Sequence, residues 1–109
     1  MKSKNFLLIL LFSIILKTQL SFADEAKMAK GLEIFNETAG CAACHVLKAA
    51  GSEGNIGPNL DTVEGLNYDS VMDIVTHGLG VMPAFGEDEM LTKDEIDIVS
   101  FYVSNSVNK

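Results

Sequence analysis

The chain has 109 residues, with fifteen acidic side chains against eight lysines, a formal charge of −7 and an isoelectric point of about 4.6. That length holds a single domain, and the acidity excludes binding to nucleic acid or anionic lipid through charge. The only two cysteines are Cys41 and Cys44, so a disulfide framework of the kind that staples small exported domains is excluded too.

The N-terminal stretch reads as a leader. Lys2 and Lys4 give it a positive start, residues 6–16 form an apolar run interrupted only by Ser13, and Ser21-Phe22-Ala23 has the small residues of a cleavage site. The eleven-residue run is well short of the ~20 residues a helix needs to span a bilayer. The alternative is an uncleaved anchor with Lys17 at the interface; lipid attachment is excluded because no cysteine stands close behind the run. The expected division is a cleaved signal peptide over 1–23 and a domain over 24–109, placing the protein in the periplasm with no membrane attachment after cleavage. Removing 1–23 takes away three lysines and no acids, leaving five lysines against fifteen acids and a formal charge of −10.

Three helical segments follow. The first is expected over about 25–37, with Met28, Leu32 and Phe35 as its apolar stripe and Gly31 inside it. A mid-helix glycine costs about 1 kcal/mol against alanine, which points to close backbone approach by another element. The second starts at Asp69 or Ser70, runs through Val71, Ile74 and Val75 to His77, and stops at Gly78. The third opens on a capping box, Thr92 with Glu95, ahead of Ile96, Val99, Tyr102 and Val103. No useful period-two alternation occurs, so the domain is all-α. Two long loops, 46–64 and 78–91, are hard to order in so small a domain unless they wrap around something.

Cys41-Ala42-Ala43-Cys44-His45 is a Cys-x-x-Cys-His sequence, the haem c attachment pattern. Cysteines three apart within a helical turn put both thiols on one side, where they add to the two haem vinyl groups, and His45 is then held over the iron as an axial ligand. Three other readings compete. A thiol–disulfide pair lacks the βαβ context it usually has. A zinc site from Cys41, Cys44, His45 and His77 lacks the usual ligand spacing. A Cys41–Cys44 disulfide would close too small a loop to stabilise much. For the other iron face Met82 is the leading candidate, because its thioether is a soft donor and Pro83 stiffens the loop. His77 is the alternative, against its plainer reading as a surface histidine at a helix C-terminus.

Together, Cys-Ala-Ala-Cys-His at 41–45, Gly-Pro-Asn-Leu at 57–60, Met-Pro-Ala-Phe at 82–85 and the pattern of the last helix resemble a class I cytochrome c over essentially all of residues 24–109. The resemblance implies a cytochrome c fold: about three main helices plus loops wrapped around one covalent haem c. It also implies that the Pro58 carbonyl accepts from the second nitrogen of His45, that Leu60 packs on the haem face, and that Gly31 and Phe35 cross the last helix at Tyr102. The chain lacks the arginine and tryptophan often used in that family to hold the haem propionates. Tyr68, Asn67, Lys48, backbone amides or solvent would take that role.

With both axial positions filled there is no open iron site, so the expected function is single-electron transfer between redox partners, not enzymatic catalysis. An acidic monomer of this kind should meet partners that carry a basic docking patch. Two alternatives stand beside it: a dedicated electron-transfer subunit of a periplasmic dehydrogenase, and a haem-based gas-binding protein with a weak or absent sixth ligand.

Overall fold

The computed structural model describes residues 2–109, apart from the side chains of residues 2–4, 6 and 16–20. The leader's basic start at Lys2 and Lys4 and its polar residues 17–19 therefore lie outside the described side chains. Helix α1 spans Lys2–Glu33 and continues into a π-helical turn, Ile34–Thr38, closed by the Ala39 N–H donating to the Ile34 carbonyl at 2.9 Å. It thus begins far ahead of the expected residue 25 and passes position 23 without a break, while its described apolar side chains before the domain, such as Leu8, Phe12 and Phe22, are exposed. Among the described residues no helix is long and apolar enough to cross a membrane.

The stripe on α1 differs from the expected one. Leu32 is exposed, whereas Gly31, Ile34 and Phe35 are buried and Met28 packs against the core. The cause is the crossing with α3, Lys93–Ser106. A Cβ on Gly31 would collide with Tyr102 Cβ, and would lie 2.9 Å from Tyr102 Cγ and 3.1 Å from the Ile98 carbonyl oxygen. The helix face is therefore fixed by where the backbones come closest, and Leu32 is rotated off it. Beside the crossing, the Phe35 and Tyr102 rings lie 6.1 Å apart at 55°, a tilted aromatic pair.

Helix α2 spans Tyr68–His77. Its cap is Asn67, with Ser70 completing a reciprocal capping box, so it starts slightly ahead of the expected position; Ser70 serves as the third residue of the box. Helix α3 begins on the expected Thr92–Glu95 box. Between α1 and α2 a short antiparallel ladder pairs β1, Val46–Leu47, with β2, Ser52–Glu53; two residues per strand are too few to leave an alternating pattern in the sequence. The fold is otherwise helical, as the composition of its segments implies.

One carboxylate joins all three helices. Asp97 on α3 accepts a hydrogen bond from the Tyr68 hydroxyl at the start of α2 and pairs with Lys27 of α1 at 2.9 Å. The Lys27 ammonium also lies 4.7 Å from the centre of the Phe101 ring. The Tyr68 hydroxyl, then the Lys27 ammonium, holds the Asp97 carboxyl below the usual carboxylate range, while the same hydrogen bond pushes the Tyr68 phenol up to about 12. A depressed carboxyl pKa contributes stability that is present above the unfolded value and lost as pH falls through the folded one; a raised phenol pKa contributes stability lost as pH rises from about 10 towards 12. Tyr68→Phe is expected to cost about 1 kcal/mol at neutral pH, discounted because the site is partly exposed. In urea unfolding across a pH series, the variant should also show a shallower loss of stability below pH 4.

Candidate functional site

Gly40 adopts a left-handed conformation (φ 69°) and turns the chain out of the π-helical turn into a single 3-10 turn, Cys41–Ala43. At three residues per turn, positions i and i+3 eclipse, so Cys41 and Cys44 stand one above the other on one side. The Cys44 and His45 N–H groups both donate to the Cys41 carbonyl, at 3.1 and 3.0 Å, which fixes the turn's exit and hence the position of the His45 ring. Both thiols are half-buried.

The loop after β2 folds back over this turn. Gly57 N–H donates to the Cys44 carbonyl at 2.7 Å, and His45 Nδ1 lies 2.7 Å from the Pro58 carbonyl oxygen. That contact makes Nδ1 the donor and leaves Nε2 as the free lone pair of the imidazole. Two glycines make the approach possible. A Cβ on Gly57 would lie 2.6 Å from His45 Cε1 and 2.9 Å from Nδ1, and one on Gly54 would lie 2.7 Å from the carbonyls of Ala42 and Ala43. Leu60, partly buried against the core, is held by its N–H on the Val46 carbonyl. Gly54 lies in the loop without a motif, and Gly57 within Gly-Pro-Asn-Leu, a pattern that does not name the ring it meets. Asp61 is a further contributor: its carboxylate accepts from the backbone N–H groups of Lys48 and Asn108 at 2.8 and 3.0 Å and so secures the segment beyond Pro58. Asn59-Leu60-Asp61 carried the available hint, since Asn59 Oδ1 accepts from the Asp61 N–H as an Asx turn does.

Met82 lies in a turn, Leu79-Gly80-Val81-Met82, whose ends exchange backbone hydrogen bonds of 3.2 and 3.0 Å. The turn packs back on Gly78, where a Cβ would come within 2.8 Å of the Met82 carbonyl oxygen. Met82 is partly buried against the core. His77 has a different setting: its ring nitrogens face Glu87 Oε1 at 2.6 Å and Asp73 Oδ1 at 3.6 Å, and its side chain is 55% exposed. The Glu87 hydrogen bond raises its pKa above the ordinary histidine value, as a partner of carboxylates would be expected to behave. Of the residues suggested for anionic groups, Tyr68 and Asn67 are otherwise engaged. The Tyr68 hydroxyl is on Asp97, and the Asn67 amide caps α2 and donates to the Gly65 carbonyl.

Among the described residues, no three His, Cys, Asp or Glu side chains converge on a metal-sized site, which argues against the four-residue zinc arrangement. Thiol exchange calls for an acidified cysteine, whereas burial pushes the Cys41 thiol up to about 11. Two eclipsed thiols, an oriented imidazole and a glycine-walled approach are the donor set and cradle that a covalently attached haem requires.

A family described as cytochrome C oxidase, cbb3-type, subunit III matches residues 26–103. The chain belongs to the c-type cytochromes. It is 33% identical over 100 residues to chloroplastic cytochrome c6 of Chlamydomonas reinhardtii, covering 84% of this chain and 62% of that relative. It is 34% identical over 94 residues to cytochrome c6 of Gloeothece citriformis (strain PCC 7424), covering 82% of this chain and 78% of the relative. The crystal structure of the c-type cytochrome SorU from Sinorhizobium meliloti matches with a TM-score of 0.70 at 44% identity, over 78% of this chain and 95% of that one. The cytochrome thus carries covalent haem c, with Cys41 and Cys44 fitting the attachment motif, and it is an electron carrier of the cytochrome c fold.

Gly57→Ala tests the packing on His45 directly, because Gly57 does not have a left-handed φ and the substitution acts only through its new Cβ. In the haem-loaded cytochrome it should lower stability by about 1–3 kcal/mol, the usual cost of overpacking. An unchanged urea midpoint would show that the loop does not rest on the ring.

Proposed function

We propose that the protein is a periplasmic electron shuttle whose iron is ligated by His45 and Met82. The observation that carries this reading is the 2.7 Å contact between His45 Nδ1 and the Pro58 carbonyl, which leaves the Nε2 lone pair available for a metal bond. Haem c supplies a one-electron iron couple. His45 would hold the iron through Nε2, and the hydrogen bond at Nδ1, which fixes the ring plane, would raise its donor strength. Leu60 is partly buried against the core beside β1. Met82 would supply the second donor from a turn stiffened by Pro83; a soft thioether would favour the ferrous state and so raise the potential. The two acids around His77 speak against that residue as the second ligand, since both of its ring nitrogens face carboxylate oxygens.

With His45 and Met82 both held for the iron, the haem would supply one-electron chemistry rather than a substrate site, and the protein's task would be to bury the couple and present it to partners. With five lysines against fifteen acids after residue 23, the partner surface that fits is basic, and the carrier works as a monomer. Export with cleavage after Ala23 is part of the same reading, supported by the leader pattern of residues 1–23.

The ligand assignment is tested by optical spectroscopy of the exported protein. The weak far-red methionine–iron band of the ferric form should disappear in Met82→Ala and persist in His77→Gln, and ferrous Met82→Ala should gain carbon monoxide binding that the parent lacks. Persistence of the band in Met82→Ala would move the ligand elsewhere. N-terminal sequencing of the same material should begin at Asp24; a start at the initiating methionine would establish the anchor alternative.

A further inference from the structure

We infer that His77 and Glu87 are positioning residues for Met82, forming a pH-sensitive clasp that closes the neck of the loop carrying it. The inference rests on the proposed Met82 ligation. The two residues flank the loop 78–86 on either side, and His77 Nδ1 lies 2.6 Å from Glu87 Oε1 across its base. The backbone is drawn together at the same place: the Gly86 and Glu87 N–H groups both donate to the Thr76 carbonyl, at 3.2 and 3.0 Å. Gly86 makes this possible, since a Cβ there would lie 2.9 Å from Thr76 Cγ2 and 3.1 Å from Ile96 Cδ1. Above the neck the loop folds on itself through the Leu79–Met82 hydrogen bonds and through Gly78 against Met82 and Pro83. Leu79 and Val81 are 68% and 91% exposed, while Met82 is partly buried and Phe85, beside the neck, is buried in the core, so the clasp adds to an anchor at the base of the loop.

The charged groups facing His77 are Glu87 across the neck and Asp73 one turn back on α2. Both favour the imidazolium, so the clasp is closed while His77 is protonated and weakens as pH rises through its folded pKa, which the Glu87 hydrogen bond places above the usual histidine value. The pair is exposed, so its effect is a modest shift in the population of open loop, not an on–off switch. The arrangement also keeps a histidine five residues from Met82 occupied with carboxylates and away from the iron.

The experiment compares the haem-loaded parent with His77→Gln, Glu87→Gln, His77→Lys and Met82→Ala from pH 5 to pH 9. Amide exchange at Leu79 and Met82, divided by the intrinsic base-catalysed rate at each pH, reads loop opening without reference to the iron, and the entry rate of added imidazole, divided by its neutral fraction at each pH, reads release of Met82. Both rates should rise by about two- to fivefold in the parent across the His77 midpoint measured by NMR, matching an exposed ion pair. His77→Gln and Glu87→Gln should show the raised rates at every pH. His77→Lys, whose cation does not titrate in this range, should hold the low rates throughout. Rates unchanged in the Gln variants, or a parent step that does not follow the His77 midpoint, would overturn the clasp. Amide exchange that responds while imidazole entry does not would overturn the positioning role. A far-red band that survives in Met82→Ala would instead overturn the ligation reading, and amide exchange alone would then decide whether the neck is clasped.

Discussion

The fold is organised around the approach of one loop backbone to one imidazole. Gly57 must lie against the His45 ring for the Pro58 carbonyl to reach Nδ1, and Gly54 must lie against Ala42 and Ala43 for Gly57 to get there. Given those contacts, the 3-10 turn that presents the two cysteines is covered from outside, β1 and β2 can pair, and Leu60 is delivered to the core. Without them the residues from Val46 to Asp61 would lose their hold on the attachment turn. A second tie is Asp61, which bonds back to Lys48 and forward to Asn108.

The helices follow a second, independent constraint. The buried Gly31 on α1 sets both the rotation of that helix and the depth at which Tyr102 sits, and the tilted Phe35–Tyr102 pair fills the space beside the crossing. The Asp97 cluster then locks the relative positions of α1, α2 and α3 from the surface side, where partial exposure keeps each bond modest in strength. Close packing inside and a shared carboxylate outside make the helical frame rigid enough to hold two loops that have little regular structure of their own.

Much of this was legible from the residues, and the reasons differ by element. The α3 start was readable because Thr92 and Glu95 make a reciprocal cap with a fixed spacing, and the glycine at 31 was readable because its cost demands a close neighbour. The attachment turn was readable because its chemistry requires adjacent cysteine and histidine at one spacing. Leu32 misled because periodicity gives the width of an apolar face but not its direction, which here depends on a helix over sixty residues away in the chain. The start of α2 was misplaced because Asn67, Asp69 and Ser70 are all competent caps and only the geometry of the box selects among them. Gly57 was visible only as the first residue of Gly-Pro-Asn-Leu and Glu87 not at all: each acts on a partner brought near by the tertiary fold, which no local pattern names.

The position of α3 in the chain has a bearing on how this protein comes to be folded. It carries the principal contacts of both α1 and α2, and it follows both of them in the chain. Until its fourteen residues emerge, Gly31 has no helix to cross and Tyr68 and Lys27 have no common acceptor. A growing chain is therefore held back from premature collapse by its own order of appearance. On the export reading, this suits a polypeptide that must pass a membrane pore in an extended form and receive its cofactor on the far side before its helices close around it.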